Sequence, residues 1–232
     1  MQPPVAAVIE AHGTLHRLLA DLDDEQVTAP SPLPGWSRGH VLAHLTDAAR
    51  MYARCAEHAL RGELVEPYDG GAAERDAILA ATAGRTAAEH RAALAEQSAH
   101  LESIWAKTSD QDWSRPVRYR NADIAATVYA RWREVWIHMT DLSLGLRPTD
   151  WPADLAAHAI DFLLPRLPAG TSVTAGDTGQ RWSTGDASGL TVTAALRDLA
   201  AWLSGRTPAV PPTSPHGLPD LGPWPAWPPR AA

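Results

Sequence analysis

Hydrophobic positions recur at helical spacing through roughly the first 145 residues. Val8, Ile9, Leu15, Leu18 and Leu19 mark the apolar face of a first helix over residues 5–22. Residues 21–34 are polar and punctuated by proline, which reads as a connection. Ser37 then suits the N-cap of a second helix, with His40 in its first turn. Val41, His44, Leu45, Ala48 and Tyr52 share one stripe of that helix, which fades near Gly62. His44 therefore faces inward, while His40 lies near the exposed end. Residues 63–84 hold Pro67, Gly70, Gly71 and Gly84 and read as a long crossover. A third helix over residues 86–107 buries Leu94, Leu101, Ile104 and Trp105. A loop leads to Asn121, and a fourth helix, with Ile124, Val128, Val135 and Leu142 as its stripe, ends near Gly145. Four helices joined with one long crossover predict a bundle, an architecture that builds metal sites from facing helices.

The pattern changes after Pro148. Residues 151–164 read as a helix with Leu155, Ile160, Leu163 and Leu164 apolar. Residues 171–174 and 180–183 are strand-like and split by Gly176-Asp177-Thr178-Gly179, a hairpin signal. Residues 190–193 suit a third strand, and residues 194–203 a helix stopped at Gly205. Three strands are marginal alone, so this unit must lean on its own helices or on the bundle. The expected class is α+β: a helical bundle over residues 1–148, a small α/β domain with a short sheet over 149–206, and a proline-rich extended tail over 207–232.

Composition narrows the function. With 232 residues, 45% hydrophobic and 20% charged, the chain has enough material for real cores. A formal charge of −7 argues against nucleic acid as a partner. No apolar run approaches the ~20 residues that span a bilayer, and the start lacks a signal-peptide pattern. The single cysteine, Cys55, rules out an internal disulfide and fits a reducing, cytoplasmic setting. With no basic partner beside it, Cys55 reads as a packing residue. Oligomeric state is open, and a monomer suffices.

The candidate chemistry lies in Arg131-Trp132-Arg133-Glu134-Val135-Trp136-Ile137-His138. Glu134 and His138 are four residues apart, so both project from one helix face. At ~100° per residue His138 falls about 40° from the centre of the buried stripe and Glu134 about 80°. A carboxylate near a core needs a cation, and either a metal or the adjacent Arg131 and Arg133 would serve. A carboxylate and an imidazole so placed can chelate a divalent cation if a third group arrives from another helix. Gly35-Trp36-Ser37-Arg38-Gly39-His40 and the following His44 offer that group, from His40 or from His44. Asp141, one turn beyond His138, reads as a solvated carboxylate, the alternative being a group that orients a ligand. Trp36 and Trp136 adjoin the motifs and are candidates to wall a pocket.

These two motifs, Arg133-Glu134-Val135-Trp136-Ile137-His138 with Asp141-Leu142 and Leu33-Pro34-Gly35-Trp36-Ser37-Arg38-Gly39-His40 with Ala43-His44, resemble the mycothiol-dependent maleylpyruvate isomerase family. The resemblance implies a DinB-like bundle joined to a C-terminal α/β domain, with metal ligands at His44, Glu134 and His138. It implies a functional arginine at Arg206, a divalent metal, with zinc preferred, and mycothiol as catalytic thiol. The implied reaction is conversion of maleylpyruvate to fumarylpyruvate by thiolate addition, bond rotation and elimination, in a pocket that needs both domains. Two other readings stay open: a mycothiol S-transferase acting on another electrophile, and a non-enzymatic metal-binding protein.

Overall fold

A computed structural model describes residues 2–186 and 189–225. Cα packing divides the chain into two compact units, one ending at Leu144 and the other beginning at Gly145.

The first unit contains α1 (Val5–Leu18), α2 (Asp24–Thr28), α3 (Arg38–Leu60), α4 (Gly71–Thr82), α5 (Ala87–Trp105), strands β1 (Pro116–Val117) and β2 (Ala122–Asp123), and α6 (Ile124–Asp141). The long helices pack as a square, with α3 against α5 and α6, and α1 against the same two. Their facing stripes are fully buried at Leu15, Leu45, Leu94, Leu101, Val128 and Val135. Arg131 crosses that core, also fully buried. It donates to His12 Nε2 on α1 at 2.9 Å, to the Leu45 carbonyl on α3 at 2.6 Å and to Ser98 Oγ on α5 at 3.4 Å. One guanidinium thus ties α6 to its three neighbours, a buried charge kept only because its donors are used.

Two helices lie where the sequence reads as connection. Within residues 21–34, α2 is closed by a reciprocal cap between Asp23 and Gln26. Within residues 63–84, α4 rests on α3 through one buried side chain, Leu79. So thin an apolar face leaves little periodicity to detect.

The second unit contains α7 (Ala153–Leu163), β3 (Ser172–Ala175), β4 (Arg181–Ser183), β5 (Thr191–Ala194) and α8 (Leu196–Leu203). The sheet order is β4-β3-β5. β3 and β4 form the antiparallel hairpin that the glycine-rich turn predicts, and β5 runs parallel to β3 with Val173 opposite Val192. Val173, Ala175 and Val192 are fully buried, α7 packs on α8, and α8 touches β5. The tail is bound to this unit as well. Thr213 bridges Thr193, and the Gly222 amide donates to the Arg166 carbonyl at 2.8 Å. The last seven residues of the expected tail lie outside the described residues. Among the described residues no helix is long and apolar enough to cross a membrane.

Candidate metal centre

The segment before α3 is built to seat one residue. Ser37 caps the helix, accepting from the His40 amide at 3.3 Å, while His40 Nδ1 returns to the Ser37 amide at 3.2 Å. Arg38 donates through Nε to the Leu142 carbonyl at 2.6 Å and through Nη2 to the Ser143 carbonyl at 3.3 Å, just past the end of α6. Gly39 lies so close to the end of α4 that a Cβ there would stand 2.2 Å from the Ala83 carbonyl oxygen. This clamp brings the first turns of α3 against the last turns of α6, and so sets His44 opposite Glu134 and His138.

Those three side chains form a cluster. One ligand atom from each lies within 4.8 Å of the others. His44 Nε2 is 3.3 Å from Glu134 Oε2, and the two imidazole rings meet edge to face with centroids 4.7 Å apart. Among the described residues Glu134 Oε2 is buried and has no hydrogen-bond partner. Burial alone would raise the Glu134 carboxyl, yet the His44 and His138 imidazoles, with Arg131, hold it down to about 2. A divalent cation in their midst would pull the same way. Two imidazole nitrogens and one carboxylate oxygen, with an orphaned oxygen among them, fit a divalent metal and match a known catalytic zinc donor set. Three protein donors leave a position open for a ligand.

His138 is also oriented from behind. Its Nδ1–H donates to Asp141 Oδ2 at 2.8 Å, and the Asp141 side chain is only 2% exposed. The reading of Asp141 as a solvated carboxylate is thereby corrected: α6 ends in a turn that folds it under the ring. With Nδ1 engaged, Nε2 is the donor left for the centre. Burial lowers the His138 imidazole, the Asp141 bond partly offsets this, and the His44 ring adds to the lowering. A neutral ring is the metal-binding form.

A family model, the mycothiol maleylpyruvate isomerase N-terminal domain, matches residues 8–143. The chain belongs to this family. The crystal structure of the mycothiol-dependent maleylpyruvate isomerase is similar at a TM-score of 0.83 and 22% identity, covering 94% of each chain. A variant of that isomerase with one histidine replaced by alanine is similar at 0.83 and 21%, with the same coverage. At that identity the likeness speaks for the fold, which is α+β as expected. No curated protein matches the sequence.

The remaining candidates of this family member fall into place around the cluster or away from it. His40 is absorbed in the helix cap, and the cluster forms without it. Trp36 lies edge-on to His44 at 5.8 Å and lines a cleft of about 220 Å³ with His40, Arg75, Asp76, Leu79 and Ala80. Trp136 is buried and does not line that cleft. Arg131, committed to His12, Leu45 and Ser98, makes no hydrogen bond to Glu134. Cys55 is buried and its thiol is pushed up to about 11 by that burial, which suits packing and not nucleophilic attack. Arg206 follows α8 in the second unit, half-buried, donating to the Ser204 carbonyl at 2.6 Å with its guanidinium 6.0 Å from the Trp224 ring centroid. For Asp141 the geometry favours the alternative of a group that orients a ligand, which its position one turn beyond His138 had offered.

Proposed function

We propose that this protein is a divalent-metal, mycothiol-dependent isomerase that converts the cis alkene of maleylpyruvate into the trans alkene of fumarylpyruvate. Family membership supports the class. The observation that carries the reading is the cluster of His44, Glu134 and His138, in which a buried carboxylate oxygen accepts no hydrogen bond and has the His44 imidazole 3.3 Å away. Zinc is the metal favoured by this donor set and by its affinity for thiolates. When bound, the metal supplies charge that favours a thiolate or polarises a substrate oxygen, and mycothiol supplies the nucleophile that adds to the alkene and later leaves.

The chain's own residues do the rest. Glu134 stays ionised and offers an oxygen whose hydrogen-bonding capacity is unused. Asp141 fixes the His138 tautomer, so that Nε2 faces the centre. Trp36 walls the cleft beside His44. Arg206 is the candidate cation for a substrate carboxylate or for enolate charge, since a guanidinium can fork two bonds to such a group. What supports Arg206 is the family resemblance. With Cys55 buried and its thiol raised, the nucleophile must come from outside.

The test mixes metal-loaded protein, mycothiol and maleylpyruvate and follows the alkene by NMR. The trans product should form with the thiol present and not without it. Arg206→Ala should keep its metal and lower kcat/KM by about tenfold to a thousandfold, with Arg206→Lys recovering part. Steady consumption of thiol into a stable adduct would instead make the protein an S-transferase. Robust isomerisation without thiol, or freshly purified protein that holds no metal, would overturn the reading.

A further inference from the structure

The cleft beside the metal centre carries more chemistry than the scheme above uses. It lies between the start of α3, which supplies Trp36 and His40, and the middle of α4, which supplies Arg75, Asp76 and Leu79. Trp36 belongs to both places. It lines the cleft, where the His40 ring is 6.1 Å from it, and it meets the His44 ring edge to face at 5.8 Å. A ligand seated against this indole therefore has a single ring between it and a donor of the centre.

His40 enters the cleft in one tautomer. The Ser37 amide donates to its Nδ1 at 3.2 Å, and an amide can only donate, so Nδ1 accepts and the ring carries its proton on Nε2. The Ser37 hydroxyl stands 2.8 Å from the same nitrogen. With Nδ1 turned back onto the cap, the edge left for the cleft bears the Nε2–H, which makes no hydrogen bond among the described residues. From α4, Arg75 Nη1 stands 3.3 Å from Asp76 Oδ1, so a cation and an anion of the lining offset one another. With a neutral His40 the lining has no net charge and does not select an anion. It offers a flat apolar surface, two kinds of donor and a carboxylate acceptor. A ring bearing several hydroxyls uses all of these, its C–H face against the indole and its O–H groups against the polar rim. The volume of about 220 Å³ equals about seven waters at their share of the liquid, room for one such ring.

We propose that this cleft is a subsite for a hydroxyl-bearing ring, and that the ring it takes is carried by the thiol whose sulfur reaches the metal. Trp36 is the platform, and His40 with the Arg75–Asp76 pair supplies the hydrogen bonds. The inference rests on the functional reading above for the thiol, mycothiol, whose acetylated cysteine is joined to a glucosaminyl-inositol. It differs from a helix cap beside a packing tryptophan in predicting discrimination between thiols that share the cysteine and differ in the rings.

The test uses zinc-loaded full-length protein and two thiols: mycothiol, and N-acetylcysteine N-methylamide, which keeps the acylated cysteine and lacks both rings. Calorimetry should show the wild type binding mycothiol about tenfold to a hundredfold more tightly, the range for one or two hydrogen bonds. Arg75→Ala with Asp76→Ala leaves the net charge unchanged and should cut that preference by about threefold to tenfold. His40→Gln keeps an acceptor for the Ser37 amide, glutamine being an ordinary partner in such a cap, but takes the imidazole N–H out of the cleft and should cut it similarly. Zinc content and affinity for the small thiol should stay unchanged in both. Glucosaminyl-inositol without its cysteine should compete with mycothiol. If it binds without competing, the cleft takes a ring unconnected to the thiol and the proposal fails. Variants that retain the full preference overturn it, as does a wild type that shows none. Loss of zinc and of both thiols together would show a structural role and overturn it too. Failure of maleylpyruvate turnover in the wild type, with thiol discrimination intact, would strike the functional reading and leave this one standing. Turnover with mycothiol but no discrimination would do the reverse.

Discussion

Asp141 offers the sharpest test of how the cluster is held. Its carboxylate accepts from His138 Nδ1 at 2.8 Å and is 2% exposed, so the bond is charge-assisted and shielded from water. Removing such an outer partner typically costs tenfold to a hundredfold in metal affinity, about 1.4–2.7 kcal/mol. Asp141→Asn keeps an acceptor oxygen of the same reach but removes the charge, and should fall at the low end. Asp141→Ala leaves a buried N–H unpaired and frees the ring to turn, placing it at the high end. One effect opposes this: because Asp141 counters the lowering of His138, its loss favours the neutral ring, which competes less for protons. Working at mildly alkaline pH, where that ring is already neutral, removes the complication. Zinc dissociation constants come from competition with a chromophoric chelator, and thermal melts of the metal-free proteins check that the fold is intact. If both variants bind zinc as the wild type does while melting alike, Asp141 does not orient His138.

Two further outcomes concern the scaffold. Gly39→Ala would place a Cβ 2.2 Å from the Ala83 carbonyl oxygen, backbone that cannot swing aside. The expected cost is about 1–3 kcal/mol, or roughly 2–12 °C in Tm, and an unchanged melt would refute the close approach. His12 donates to Glu102 at 2.6 Å and accepts from Arg131, and burial together with Arg131 lowers its imidazole from 6.5 to about 4. In that window the unfolded chain binds a proton that the folded one refuses, so stability falls as pH drops from 6.5 towards 4. The ceiling is about 3 kcal/mol. His12→Gln should flatten the slope of unfolding free energy against pH by up to one proton, and identical slopes for the two proteins would refute the buried neutral histidine.

The sequence by itself determined the long helices, the hairpin and the pairing of Glu134 with His138. Each is local: helical periodicity reports a buried stripe, a glycine-rich turn between strand-like runs reports a hairpin, and a four-residue spacing puts two side chains on one face. The α2 and α4 helices escaped, one being five residues long and the other burying only Leu79, although the cap of Asp23 and Gln26 was written in the chain. Tertiary structure decided everything that depends on two helices at once. It chose His44 over His40 for the cluster, because the Ser37 cap consumes His40 and the Arg38 clamp sets α3 against the end of α6. It turned Asp141 from a solvent-facing group into a buried partner of His138, and spent the hydrogen bonds of Arg131 on knitting four helices, leaving it only an electrostatic influence on Glu134. It also brought Tyr119, from a loop with no periodic signal, onto Tyr52, sixty-seven residues earlier. Spacing along one element is set by backbone geometry alone. Which atoms meet between elements is set by packing and by where buried polar groups find partners, and neither is visible one residue at a time.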